Sequence, residues 1–184
     1  SRSGADTLVI FDYADGSGLT ILREALENGF FERFIGGDGM RADSLILELG
    51  AENLDTFVTS SPIGQSGEGL AAFEALAREA GLDPEAVFAS SGFDAGFLVA
   101  LAMEHAGGDT AQLTESLRAV ATAPGEPILP GEWEKARALI AEGTEIDYKG
   151  AAGDHEFDAN GDVPGAFGLF AVSGDRFEMT MQMK

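Results

Sequence analysis

The sequence predicts an α/β fold built on a parallel sheet, and three observations near its start carry that prediction. Thr7 to Tyr13, TLVIFDY, is a short β-branched run followed at once by the Gly-rich turn ADGSG, the pattern of a buried strand and its exit. Leu19, Leu22, Ala25 and Leu26 then recur at helical spacing, with Ser17 as a possible cap and Gly29 as the stop. A second strand, RFIGG at 33–37, leads into another helix, opened by Asp43 or Ser44, turning Leu45, Ile46 and Leu49 inward and ending at Gly50. Strand, helix, strand, helix is the grammar of parallel strands with helices on their faces.

The middle of the chain changes character. A short strand over Thr56 to Thr59 runs into SSPIGQSGEG, whose Ser, Pro and Gly content reads as a connection. Helices follow. Leu70, Phe73, Ala77 and Ala80 share one helical face that Gly81 closes. The helix from Val87 to Ala106 contains FLVALAM, apolar nearly all round, and is expected to be buried. Asp109 with Gln112 fits a capping box ahead of Leu113, Leu117 and Val120. Trp133, Ala136 and Ile140 mark a last helix, ended by Gly143. The tail returns to β: AFGLFAV and RFEMTMQM flank the turn Ser173-Gly174-Asp175, and Phe177, Met179, Met181 and Met183 alternate with polar residues as if one face were core. The chain shows no internal repeat and no low-complexity segment.

Composition narrows the function classes. Hydrophobic residues are 45% of the 184, enough for one domain or two small lobes. Acidic residues outnumber basic ones 32 to 11, a formal charge of -21, which repels nucleic acid and anionic membranes. There is no cysteine, so neither disulfides nor thiolate metal sites are available. No apolar run reaches the roughly 18 residues of a membrane span. The opening SRSGADTLVI has neither the charge nor the apolar block of a targeting peptide.

The stretch FIGGDGM, 34–40, concentrates the chemistry. Ligands of open parallel sheets bind beyond the carboxyl ends of the strands. Two such ends exist here, the loops around Tyr13 to Ser17 and Gly37 to Met40, and neighbouring strands set them side by side. The glycines, Gly39 among them, let the backbone turn sharply and approach a ligand. Asp38 then offers a carboxylate over the sheet edge, suited to an ammonium group, with Tyr13 giving a ring face and a hydroxyl and Asp15 standing on the same loop. Equally, Asp38 can cap a turn and Tyr13 can simply pack. FDANGD, 157–162, imitates a calcium loop through Asp158, Asn160 and Asp162, but Val163 stands where that loop wants glycine and Leu169 where it wants a bidentate Glu, so a hairpin turn is expected. His105 and His155 are far apart in sequence, and neither a nucleophile elbow nor a zinc-protease or phosphate-loop motif is present, so catalysis has no positive support.

The ordered series ILREALENGFFERFIGGDGM, FDAGFLVALAMEHAG, LRAV, PGEWEKARALIAEGTEIDYKGAAG and FDANGDVPGAFGLFAV resembles the C-terminal half of branched-chain amino acid type solute-binding proteins of ABC transporters. No single motif is specific; the order is. The resemblance implies a type I periplasmic-binding fold: parts of two Rossmann-like lobes joined by crossing strands, seen here as a fragment. It places 1–56 in the second lobe, 57–147 in the first, and 148–184 in the return crossing and the last strands. It further implies that Asp38 stands at the acidic position that grips a ligand's α-ammonium, where many members carry Glu. Tyr13 lies near an aromatic position, and Phe93 near an aromatic of the first lobe. A small amino acid of branched-chain type or an amide as ligand, the membrane subunits of an ABC permease as partners and a periplasmic location follow from the same resemblance; no enzymatic activity, no cofactor and no bound metal are expected. A receptor's sensory domain is the alternative use of the fold. Apolar faces left by the absent half make self-association an expectation as well.

Overall fold

The structure, a computed structural model, describes residues 4–183; the expectations for Ser1 to Ser3 and Lys184 lie outside the described residues. The chain divides into two compact units. The first holds the residues up to Pro62 and those from Ala166 onward; the second holds 63–165.

In the first unit, β1 (Thr7–Ile10), α1 (Leu19–Glu27), β2 (Arg33–Gly36), α2 (Asp43–Leu49) and β3 (Phe57–Ile63) follow in order. The strands β1 and β2 pair in parallel, Val9 opposite Ile35 and Ile10 opposite Gly36, and β2 and β3 pair in parallel with Phe34 opposite Phe57. Adjacent parallel strands joined by right-handed crossovers put their helices on one face. That face is the core: Ile10, Leu22, Ala25, Phe34, Leu45, Ile46 and Phe57 are buried together. On the other face Val9 and Ile35 remain substantially exposed.

Several details depart from the sequence reading. No side chain caps α1 or α2: Ser17 bonds Asp12, and the residue preceding α2 is Ala42. The strand β3 runs through Ser60 and Pro62 instead of stopping at Thr59, with Phe57, Thr59 and Ser61 buried in alternation. Small hydroxyl residues fit there because the backbone accepts their protons; Thr59 Oγ1 donates to the Gly37 carbonyl at 2.5 Å.

The sheet is completed by β6 (Ala166–Ser173) and β7 (Arg176–Met183), an antiparallel hairpin, in the order β1-β2-β3-β6-β7. The predicted turn is in place, with Gly174 at φ 65° supplying the left-handed step. The methionine row, however, is not core: Met179, Met181 (57% exposed) and Met183 all face solvent. The strand β7 lies at the sheet edge, and a bulge sets Met179 opposite Phe170 but Met181 opposite Leu169, so the row changes face; of its members Phe177 packs against the core.

The second unit contains α3 (Glu68–Glu79), α4 (Ala89–His105), α5 (Leu113–Ala121), β4 (Glu126–Ile128), α6 (Trp133–Ala141) and β5 (Ile146–Tyr148). The parallel pair β4-β5 lies in a core of Leu98, Leu101, Ala102, Val120, Ala121, Ile128, Ala136, Ile146 and Tyr148. Phe97 and Trp133 close its edge. The helix α4 is buried on one face only; Ala95, Gly96 and Val99 lie on its exposed side. Asp109 caps as expected, accepting from Ala111 N at 3.0 Å, but Gln112 bonds the Asp109 side chain and not its amide. FDANGD is a tight turn: Asp158 exchanges backbone bonds with Gly161 and Asp162, while its carboxylate accepts from the amides of Asn160 and Asp162 at 2.8 and 2.9 Å. Those donors hold the Asp158 carboxyl below its ordinary range, the Asp162 amide foremost.

Candidate ligand site at the sheet edge of the first unit

The two loops singled out in the sequence leave the carboxyl ends of β1 and β2, which are neighbours. The first begins with Phe11 (87% exposed) and Asp12. Asp12 Oδ1 accepts from Tyr13 N at 2.8 Å, and Ser17 Oγ donates to Asp12 Oδ2. The Ser17 bond, then the Tyr13 amide, hold this carboxyl below its ordinary range, so it stays an acceptor that ties the loop closed. The Tyr13 carbonyl in turn accepts from Gly16 N and Gly18 N, at 3.0 and 3.1 Å, turning the chain into α1. Tyr13 itself is left 63% exposed, and Asp15 is also exposed.

The second loop is one short turn, Asp38–Met40, anchored by Gly37 N donating to the Ile10 carbonyl at 3.0 Å. Met40 is fully buried beneath it. Asp38 Oδ1 accepts from Gly39 N at 2.8 Å. A carboxylate can accept about four bonds, so one internal bond leaves capacity for a donor arriving from above. Gly39 is required by proximity, not by dihedral angle: a Cβ there would stand 2.7 Å from the Asp12 carbonyl and 2.9 Å from the Tyr13 ring. Gly36 is confined in the same way, between Met40 and the Phe57 ring. The glycines of FIGGDGM therefore let one loop lie directly on the other.

The arrangement brings Tyr13, Asp38 and Gly39 into one rim, with Asp12 and Phe11, which the sequence reading had missed, beside them. Asp15 shares the loop but points outward. Arg41, next along, lies flat over the Phe170 ring at 3.8 Å from its centroid and reaches Ser61 Oγ at 3.4 Å. Phe93 belongs to the second unit, in an aromatic ladder 5.3 Å from Phe73 and 5.6 Å from Phe97. A rim of carboxylates and rings of this kind can orient a cationic or hydrogen-bond-donating small molecule.

A family model described as the receptor family ligand binding region matches residues 1–175. The chain belongs to that family. Among solved structures it is similar to the leucine-binding protein LivK of Thermotoga maritima, at 22% identity and TM-score 0.68, covering 97% of this chain and 44% of that one. The LivJ substrate-binding protein of Streptococcus pneumoniae, solved with isoleucine, gives 17% and 0.64, over 94% and 43% of the two chains. A solute-binding protein of R. palustris in complex with 4-hydroxybenzoate gives 14% and 0.66, over 100% and 46%. A search of the curated proteins finds no match. The fold is thus the type I periplasmic-binding fold, of which the chain spans less than half the length found in these relatives. The family members named by these structures are binding proteins.

Proposed function

We propose that the protein is an extracytoplasmic solute-binding protein of an ABC importer, carrying a small amino acid or amide to the permease's membrane subunits, and that it is not an enzyme. One observation carries the reading: Asp38 is held by a single internal bond at the carboxyl edge of a parallel sheet, beside the exposed Tyr13 ring. In this reading Asp38 accepts from the ligand's ammonium group, Gly39 permits the close approach, Tyr13 covers the ligand, and Asp15 adds negative potential. Phe93 is a further ligand residue in this reading. Leucine and isoleucine in the names of two similar structures support the branched-chain class, while 4-hydroxybenzoate in a third marks how widely the fold accepts ligands. A periplasmic location goes with the transport role. The family description, a receptor ligand-binding region, favours a sensory domain as the second reading.

Asp38→Ala, measured by calorimetry on the gene product at its natural length against a panel of amino acids, should weaken binding at least tenfold, about 1.4 kcal/mol. The melting temperature should stay nearly unchanged, because a carboxylate in a surface loop supports little structure. Unaltered affinity in the variant would return Asp38 to the role of a turn residue. The genomic setting separates transport from sensing: a lone exported domain beside permease genes, or a domain fused to a membrane segment.

A further inference from the structure

The most tightly held ionisable group of the second unit takes no part in the rim described above. Asp94 sits on the inward face of α4 and is 1% exposed. Its Oδ1 accepts from Tyr148 Oη at 2.7 Å and Ala151 N at 2.8 Å; its Oδ2 accepts from Ala152 N at 2.7 Å and faces His155 Nε2 at 3.5 Å. Burial, and then the bond to Asp94, push the Tyr148 phenol well above its ordinary range, so it remains a donor. Two consecutive backbone amides converging on one buried anion form a nest that only a carboxylate has enough acceptors to fill.

What that loop holds is the point. Ala152 O accepts from Gln65 N at 3.1 Å, and Gln65 Nε2 donates to Pro164 O at 3.3 Å. Gln65 is two residues beyond the place where the chain enters the second unit, at Ile63, and Pro164 is one residue before the chain leaves it, at Gly165. A residue 99 positions from Pro164 in sequence thus bonds the outgoing and returning segments side by side. The fit around the loop is close: a Cβ on Gly150 would stand 2.6 Å from Asp94 Oδ2, and one on Gly153 2.7 Å from the Gln65 amide carbon.

We propose that Asp94 is the positioning residue of a clamp, Asp94–Ala152–Gln65–Pro164, that fastens both connecting segments to the second unit as one body. The clamp is independent of what the sheet-edge site of the first unit binds.

Residue-resolved hydrogen exchange tests it. In Asp94→Asn the amide placed opposite Ala152 N turns one acceptor into a donor. The amides of Ala152 and of Gln65 should then exchange at least about tenfold faster, while those of α5 stay within about threefold of the parent. Gln65→Ala, at a half-buried position away from the core, should speed exchange across 153–165 and leave α4 and α5 unchanged. Retained protection at Gln65 in Asp94→Asn would overturn the proposal, because the network would end at the loop. So would a uniform loss throughout the second unit, which would make Asp94 a support of the core only. An unchanged 153–165 segment in Gln65→Ala would overturn it too, even if Asp94→Asn fails to fold.

Discussion

Asp94→Ala should lower the melting temperature of the second unit by more than about 10 °C. The substitution strands the buried Tyr148 hydroxyl and Ala151 amide, and the half-buried Ala152 amide, without an acceptor. Each buried donor left unpaired costs about 1–3 kcal/mol. Three such donors give about 3–9 kcal/mol, and in a unit of about 100 residues each kcal/mol is worth about 4–8 °C. Trp133 makes the measurement specific. It is the chain's one tryptophan and packs against Phe97 in the second unit, so its fluorescence follows that unit's unfolding. A loss below about 1 kcal/mol would show that the three donors find other partners.

Gly69→Ala should be nearly as damaging, for a steric reason. Gly69 lies in the first turn of α3, and a Cβ there would overlap the carbonyl oxygens of Lys149 and Gly150 and stand 2.8 Å from the Gly150 carbonyl carbon. All of these are backbone atoms, which cannot rotate away. Either α3 shifts off the loop or the loop shifts off Asp94. Overpacking of this kind costs about 1–3 kcal/mol, and a loop shift adds the loss of the Asp94 bonds. Because both substitutions act on the same loop, Gly69→Ala with Asp94→Ala should cost less than the sum of the two. Chemical denaturation followed by Trp133 fluorescence measures all three. Full additivity would mean that Gly69 and Asp94 support the unit separately.

The fold was legible where a period was long enough to read. The strand–helix–strand opening, the helix stops at Gly29, Gly50, Gly81 and Gly143, and the Gly174 turn each have a local physical signal, and the left-handed φ of these five glycines bears the stops and the turn out. The strands β4 and β5 escaped because three residues cannot display a period. The methionines of β7 were misread because a bulge between the partners of Leu169 and Phe170 breaks the alternation, and nothing local in the sequence announces it. At the sheet edge, Gly39 and Asp38 could be picked out because glycine beside a carboxylate at a strand exit marks a sharp turn carrying an acceptor, whether it meets a ligand or only caps the turn. Asp12 was overlooked: its bonds to Tyr13 N and Ser17 are decided by how the loop closes. Asp94 did carry a signal. It stands four, seven and eight residues before Leu98, Leu101 and Ala102, so a charge falls on the apolar stripe of its helix. A charge so placed must find donors, and those came from residues more than 50 positions away, which no local pattern contains.

The exposed row on β7 has a chemical consequence apart from packing. Thioether sulfur is oxidised to the sulfoxide by peroxide, and accessibility governs which sulfurs react first. Met179, Met181 and Met183 lie open to solvent, whereas Met40, beneath the Asp38 loop, is sealed. An oxidant reaching the first unit therefore meets three open sulfurs before the one on which the glycine turn rests. Sulfoxide on β7 adds polarity to a surface already in water, while the same oxygen on Met40 would have no room beside Gly18 and Gly36. Peroxide treatment should therefore oxidise the methionines of β7 before Met40.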